Sequence, residues 1–230
     1  MSNFKQYMSI VLNIKTIKES IPDKVKIVAV SKTHSIETIM EAYNTGHRIF
    51  GENKVQELIT KKNQLPADIS WHFIGHLQTN KVKQIVSFVD LIHGVDSFKL
   101  LETIDKEAKK VNRMVNCLLQ IHIADESTKF GFSEKELLDI LSSKIINSFE
   151  NISVCGLMGM ATFTENKQQI KNEFSNLKRF YEYLKINFFN NYDNFKELSM
   201  GMSDDYKIAI DEGSTIVRIG SSIFGIRKYV

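Results

Sequence analysis

The sequence is poor in the residues that build staples, linkers and membrane spans. Only two cysteines, Cys117 and Cys155, occur in 230 residues, too few and too far apart for a disulfide scaffold or a CxxC site. Two prolines, Pro22 and Pro66, exclude a Pro-rich linker. No apolar run reaches the roughly 18 residues that a membrane-spanning helix needs. The N-terminus lacks an apolar core and a small-residue cleavage site, so no secretion signal is read there. Free thiols without such a signal lead to the expectation of a reducing, cytoplasmic setting. Neither sign of charge dominates. The 30 Lys and Arg against 27 Asp and Glu leave +3, with no basic block, so no nucleic-acid footprint is present.

What remains is a globular composition, 43% hydrophobic and 25% charged, enough for one sizeable core. The length suits one large domain, and residues 1–230 are read as a single one. Phe4, Tyr7, Met8, Val11, Ile14 and Ile17 stand three or four apart and predict a helix ahead of the first strand. Strands are then predicted at 25–30, 48–50, 70–73, 89–92, 115–123, 152–155, 195–198 and 215–219. Helical spacing separates them: Ile36, Ile39, Met40 and Tyr43, ended by Gly46; Val55, Leu58 and Ile59; Val82, Ile85 and Val86. It returns in Leu100 to Ala108 behind a Ser97 cap, and in Leu137 to Ile145 behind a Ser133–Glu136 capping box. Ile170, Phe174, Leu177, Tyr181 and Leu184 line a long helix, and 203–211 a short one. Eight strands alternating with helices predict an α/β protein, a (β/α)8 TIM barrel with an extra N-terminal helix. A doubly wound open sheet is the rival, because strand count alone does not prove closure.

A barrel carries its chemistry where strands end. Two such ends, Ser199-Met200-Gly201-Met202-Ser203 and Arg218-Ile219-Gly220-Ser221, pair glycine with serine hydroxyls before a helical turn. Glycine admits close backbone approach and serine donates, a pattern suited to phosphate after strands seven and eight. Lys32 directly follows the first strand. In a poorly hydrated mouth its amine loses its proton more readily and becomes an imine-forming nucleophile. A lysine with a phosphate cup suits aldolase-type chemistry on a sugar phosphate, or pyridoxal 5′-phosphate (PLP). A third reading uses His72, His93 and His122 as metal ligands of a barrel hydrolase, with HxxxH spacing from His72 to His76. Phe73 stands where HExxH has its glutamate, and most strand ends lack an acid, so hydrogen-bonding roles fit these histidines better.

Seven blocks occur in order: VAVSKT (28–33), FGENKVQE (50–57), WHFIGHLQTNK (71–81), FGF (130–132), GLMGMATF (156–163), LSMGMSDD (198–205) and VRIGSSIFG (217–225). Together, over about residues 25–227, they resemble the YggS/PROSC family of PLP-binding, or PLP homeostasis, proteins. That family resembles the alanine racemase barrel standing alone (fold type III). The resemblance implies PLP held covalently as a Schiff base on Lys32. It implies Ser199 as a phosphate ligand, Met200, Gly201 and Ser203 lining the same cup, and Gly220 and Ser221 contacting the phosphate. Ser221 stands where relatives often have threonine, with the hydroxyl retained. Arg218 would face the pyridine nitrogen, Asn53 and His72 would lie near the ring, and Met158 and Met160 would pack beside it.

A guanidinium only donates, so it would not stabilise a protonated pyridine, and the ring would be a weak electron sink. Only five residues follow Gly225, so the racemase's second domain is expected to be missing. The expected function is therefore intracellular vitamin B6 and amino-acid homeostasis by a monomer without efficient catalysis, with apo PLP-dependent enzymes as recipients. The alternative is a PLP-dependent racemase or lyase on a small amino acid, with His72 as second proton-transfer group. Lys54, Lys81 and Lys129 are further amines open to PLP.

Overall fold

The structure, a computed structural model, describes residues 9–125 and 130–225. Eight parallel strands close into a barrel in chain order, β1 pairing with β8. They are β1 Lys26–Val30, β2 Ile49–Glu52, β3 Ser70–Phe73, β4 Leu91–Val95, β5 Val115–Gln120, β6 Ile152–Met158, β7 Glu197–Met202 and β8 Ile216–Ile219. The barrel reading of the sequence holds, and the open sheet does not.

The helices are α1 Ile10–Ser20, α2 Ile36–Asn44, α3 Val55–Gln64, α4 Phe98–Lys110, α5 Glu134–Ser142, α6 Lys167–Asn187, α7 Tyr206–Asp211 and α8 Ser221–Phe224. Side-chain caps set several of their starts. Ser35 accepts from Thr38 N, Ser97 from Leu100 N and Ser133 from Glu136 N, each satisfying an amide that the first turn leaves unpaired. The predicted opening helix is found from Ile10; Phe4, Tyr7 and Met8 lie outside the described residues. Between β3 and β4 the expected α-helix is a 3-10 helix, Thr79–Gln84. No helix among the described residues is long and apolar enough to cross a membrane.

Strand alternation sorts side chains into two cores. Outward residues such as Ala29, Phe50, Trp71, Phe73, Leu198, Val217 and Ile219 pack with the helices in one large buried cluster. Inward residues form a smaller one: Val28, Leu91, Leu118, Cys155, Met158 and Ile216. Cys155 and Met158 stand three apart and both belong to the inner cluster, so the strand must shift phase between them. Gly156 does this at φ +149, where a Cβ would lie 1.8 Å from the Glu197 carbonyl. At the N-terminal end of the barrel, inward Lys26 pairs with Glu197 at 2.5 Å. The interior is thus a packed stack, closed below by an ion pair and apolar at mid-height. Its polar groups gather at the C-terminal mouth.

Candidate functional site

The mouth holds a connected chain of four buried polar side chains. Arg218 Nη1 donates to the Ser199 hydroxyl at 2.6 Å and to the Ser199 carbonyl at 2.9 Å, and Nη2 donates to the Gly159 carbonyl at 3.1 Å. Ser199 Oγ lies 3.0 Å from His93 Nδ1, and His93 Nε2 lies 2.9 Å from His72 Nδ1. One arrangement of protons satisfies every member of this chain. A guanidinium only donates, so Ser199 accepts from it, and in this arrangement it turns its own proton to His93 Nδ1. His93 then carries its proton on Nε2 and donates to His72 Nδ1, which leaves the His72 proton on Nε2.

Charge follows the same logic. Burial pushes His72 down to about 3, with the Lys26 charge adding to it. Burial holds His93 well below its usual range, helped by His72 and Arg218. Both imidazoles are therefore neutral at physiological pH, in keeping with that arrangement. Arg218 is lowered to about 10 by burial, with Asp205 opposing, and stays a cation. Asp205 is raised by burial, while the Met202 amide and the Arg218 charge pull it down.

Lys32 is half-buried in the turn just past β1. The pairing of Ala29 with Ile219 sets the end of β1 beside Gly220, and a Cβ built on Gly220 would meet Val30 at 3.4 Å. The β7 and β8 loops meet there too. Gly220 N and Ser222 N both donate to Ser203 Oγ, at 3.2 and 3.4 Å, so two backbone donors converge on one oxygen. Gly201 sits at φ +91, where a Cβ would come within 2.5 Å of the Ala209 Cβ; this lets the β7 loop turn tightly under α7. Asp205 holds that loop by accepting from Met202 N at 2.6 Å. Asn53 is half-buried at the end of β2. Its backbone is braced by Gly75, where a Cβ would lie 2.4 Å from the Asn53 carbonyl.

Two of the expected cup residues have their side chains engaged elsewhere. The Ser199 hydroxyl is fully buried and committed to Arg218 and His93, so it turns into the barrel and away from the loop cup. Met200 is fully buried in the outer core between strand and helices, because it follows inward Ser199 by one residue. Met158 lies in the inner core below the mouth. Gly201, Ser203, Gly220 and Ser221 remain together on the β7 and β8 loops, with Ser221 exposed. The two histidines of the HxxxH spacing part company: His76 pairs with Asp96 at 2.7 Å and stacks on Phe130 at 4.1 Å. Among the described residues no group of three His, Cys, Asp or Glu side chains could hold a metal ion. Sequence reasoning had set His93 among possible metal ligands. Its inward phase with Leu91 is the signal for its place in this chain.

With this geometry in hand, the relatives are informative. The model of the alanine racemase N-terminal domain matches residues 8–228. A pyridoxal phosphate homeostasis protein of Aquifex aeolicus (strain VF5) is 39% identical over 205 residues, covering 89% of this chain and 88% of the relative. Among solved structures, PipY of Synechococcus elongatus PCC7942 with PLP bound is 33% identical at a TM-score of 0.86, covering 94% of this chain and all of PipY. An alanine racemase of Clostridium difficile 630 shares the fold at a TM-score of 0.74 and 14% identity; the match covers 96% of this chain and 57% of that one. The chain belongs to the alanine racemase N-terminal domain family. Within it, the chain is a member of the pyridoxal phosphate homeostasis proteins.

Proposed function

We propose that the chain binds PLP at the C-terminal mouth of the barrel, attached covalently through Lys32. Its role on this reading is PLP and amino-acid homeostasis without efficient turnover. The observation that carries the reading is the approach of the end of β1, two residues before Lys32, to the Gly220 loop of β8. PLP bound to PipY, which covers 94% of this chain at 33% identity, supports it.

The residues fit the cofactor's groups. Lys32 offers an amine to the aldehyde. The Ser203 and Ser221 hydroxyls offer donors to a phosphate, beside the Gly220 and Ser222 amides that converge on Ser203 Oγ. Arg218 offers a permanent donor to a pyridine nitrogen that keeps its lone pair. Asn53 and His72 border the same mouth. When bound, PLP supplies an aldehyde that bonds amines reversibly and a ring that withdraws electrons. The chain's own residues bear on the second property. Arg218 has no proton acceptor to offer, and its guanidinium is locked by Ser199 and Gly159. His72, the nearest second base, is held at about 3 by burial, so it takes up no proton at neutral pH. Apo PLP-dependent enzymes are the proposed recipients.

Incubating the PLP-loaded protein with single L-amino acids in deuterated water tests this. Exchange at Cα is expected to stay substoichiometric. Steady catalytic exchange would replace the reading with a racemase or lyase.

A further inference from the structure

Behind the mouth, on the outer side of β1 and β2, lies a second buried polar cluster. Lys61, on α3, uses its three N–H donors on three different residues. They reach the Ser31 carbonyl, Glu52 Oε1 and Glu57 Oε1, each at 2.7 Å. Ser31 Oγ also donates to Glu52 Oε1, at 2.6 Å. Glu57 Oε1 accepts from the Thr33 amide at 2.5 Å. Lys61 and Glu52 are almost wholly buried, and Glu52 Oε2 has no hydrogen-bond partner. So costly a cluster needs a structural return.

Its contacts fall on the two residues that flank Lys32. Ser31 is held through its carbonyl by Lys61, through its hydroxyl by Glu52 and through its amide by the Gly51 carbonyl at 3.0 Å. Thr33 is held through its amide by Glu57. Thr33 also stands at φ +69, a left-handed conformation that β-branched residues rarely adopt without external support. That turn brings the His34 amide back to the Ser31 carbonyl at 3.1 Å, on the same oxygen that Lys61 grips.

We infer that Lys61 and Glu57 are positioning residues that clamp the peptide on both sides of Lys32 and hold Thr33 in its left-handed turn. The root of the Lys32 side chain is thereby fixed toward the mouth. Glu57 acts on Thr33, and Lys61 orients Glu57 and anchors Ser31. The inference rests on the reading of Lys32 as the attachment residue.

The test uses the full chain and two readouts. The first needs no ligand: amide hydrogen exchange at Thr33, expected to be slow in the parent and fast in Glu57→Ala. The second is the fraction of protein trapped at Lys32 by borohydride at limiting PLP, expected to fall about tenfold in Glu57→Ala and less in Glu57→Gln, which keeps an acceptor oxygen. The deciding variant is Thr33→Gly combined with Glu57→Ala. Glycine adopts positive φ at no steric cost, so trapping should return to within about threefold of the parent. A general loss of packing would not be rescued by removing a side chain. Unchanged Thr33 exchange in Glu57→Ala, or no rescue by glycine in a double variant that melts as the parent does, would overturn the clamp. Absence of a Lys32 adduct in the parent would instead refute the attachment reading, while the Thr33 exchange result would still judge the clamp.

Discussion

Arg218 Nη1 reaches the Ser199 hydroxyl at 2.6 Å and the Ser199 carbonyl at 2.9 Å, so one residue caps the guanidinium with both its side chain and its backbone. Ser199 is thereby a support of the buried cation. Ser199→Ala should destabilise the fold by about 1.5–3 kcal/mol, the range for a hydrogen bond to a charged group. Ser203→Ala, at the partly open rim, should cost less than about 1 kcal/mol and weaken PLP retention instead. Urea unfolding of both variants checks the contrast, and equal costs would argue against it.

Acid should loosen the protein early. His72 is held at about 3 and His47 at about 4, both chiefly by burial, and His93 well below its usual range for the same reason. The unfolded chain takes up these protons near the ordinary value of about 6.5. Between that value and the folded ones, the unfolded state binds more protons. Stability is therefore full above about pH 6.5 and falls with acidification, by up to about 1.4 kcal/mol per pH unit for each such group. His47 lies outside the mouth and bonds the Ile49 carbonyl at 2.8 Å. His47→Gln should flatten the slope in urea midpoints measured between about pH 7.5 and 5.5, and an unchanged slope would contradict the assignment.

Two glycines of the mouth should respond oppositely. At Gly201 a Cβ would meet the Ala209 Cβ at 2.5 Å with φ at +91, so Gly201→Ala should lower the melting temperature by several degrees, corresponding to about 1–3 kcal/mol. At Gly220 a Cβ would meet only Val30, no closer than 3.4 Å. Gly220→Ala should fold as the parent does yet hold PLP less well, because the added methyl stands between the β8 loop and the end of β1, beside the proposed phosphate cup. Melting curves and dialysis of the loaded variants separate the two effects.

The barrel was legible because each strand is buried on both sides, giving short apolar runs such as Lys26–Val30 between amphipathic helices. The strand ends were not. The predicted strand at 195–198 continues to Met202 in the structure, and that at 89–92 continues to Val95. Apart from Val95, the added residues, Ser199 to Met202 and His93-Gly94, include serine, histidine and glycine and read as loop. They enter the strands because the mouth gives their polar groups partners. The 3-10 helix at Thr79–Gln84 was read as α because the Val82–Ile85 spacing suits either form. Lys61 escaped notice altogether. A lysine on an amphipathic helix reads as a solvated face, and only the fold shows that Ser31, Glu52 and Glu57 converge on it. The engagement of Ser199 with Arg218 and His93 is not legible in its block, because strand phase, which alternates within the block, sets the direction of its side chain.

Lys32→Ala should abolish covalent attachment while the β7 and β8 loops retain weak PLP binding. Equilibrium dialysis should recover PLP with a dissociation constant raised by at least about tenfold, equivalent to about 1.4 kcal/mol. Complete loss of binding would mean that the loops contribute nothing by themselves.

The most direct test of the account is borohydride reduction of the PLP-loaded protein followed by peptide mass spectrometry. A phosphopyridoxyl adduct concentrated on Lys32 is expected, with Lys54, Lys81 and Lys129 labelled only at excess PLP. A folded protein that carries no adduct on Lys32 after incubation with PLP would contradict it.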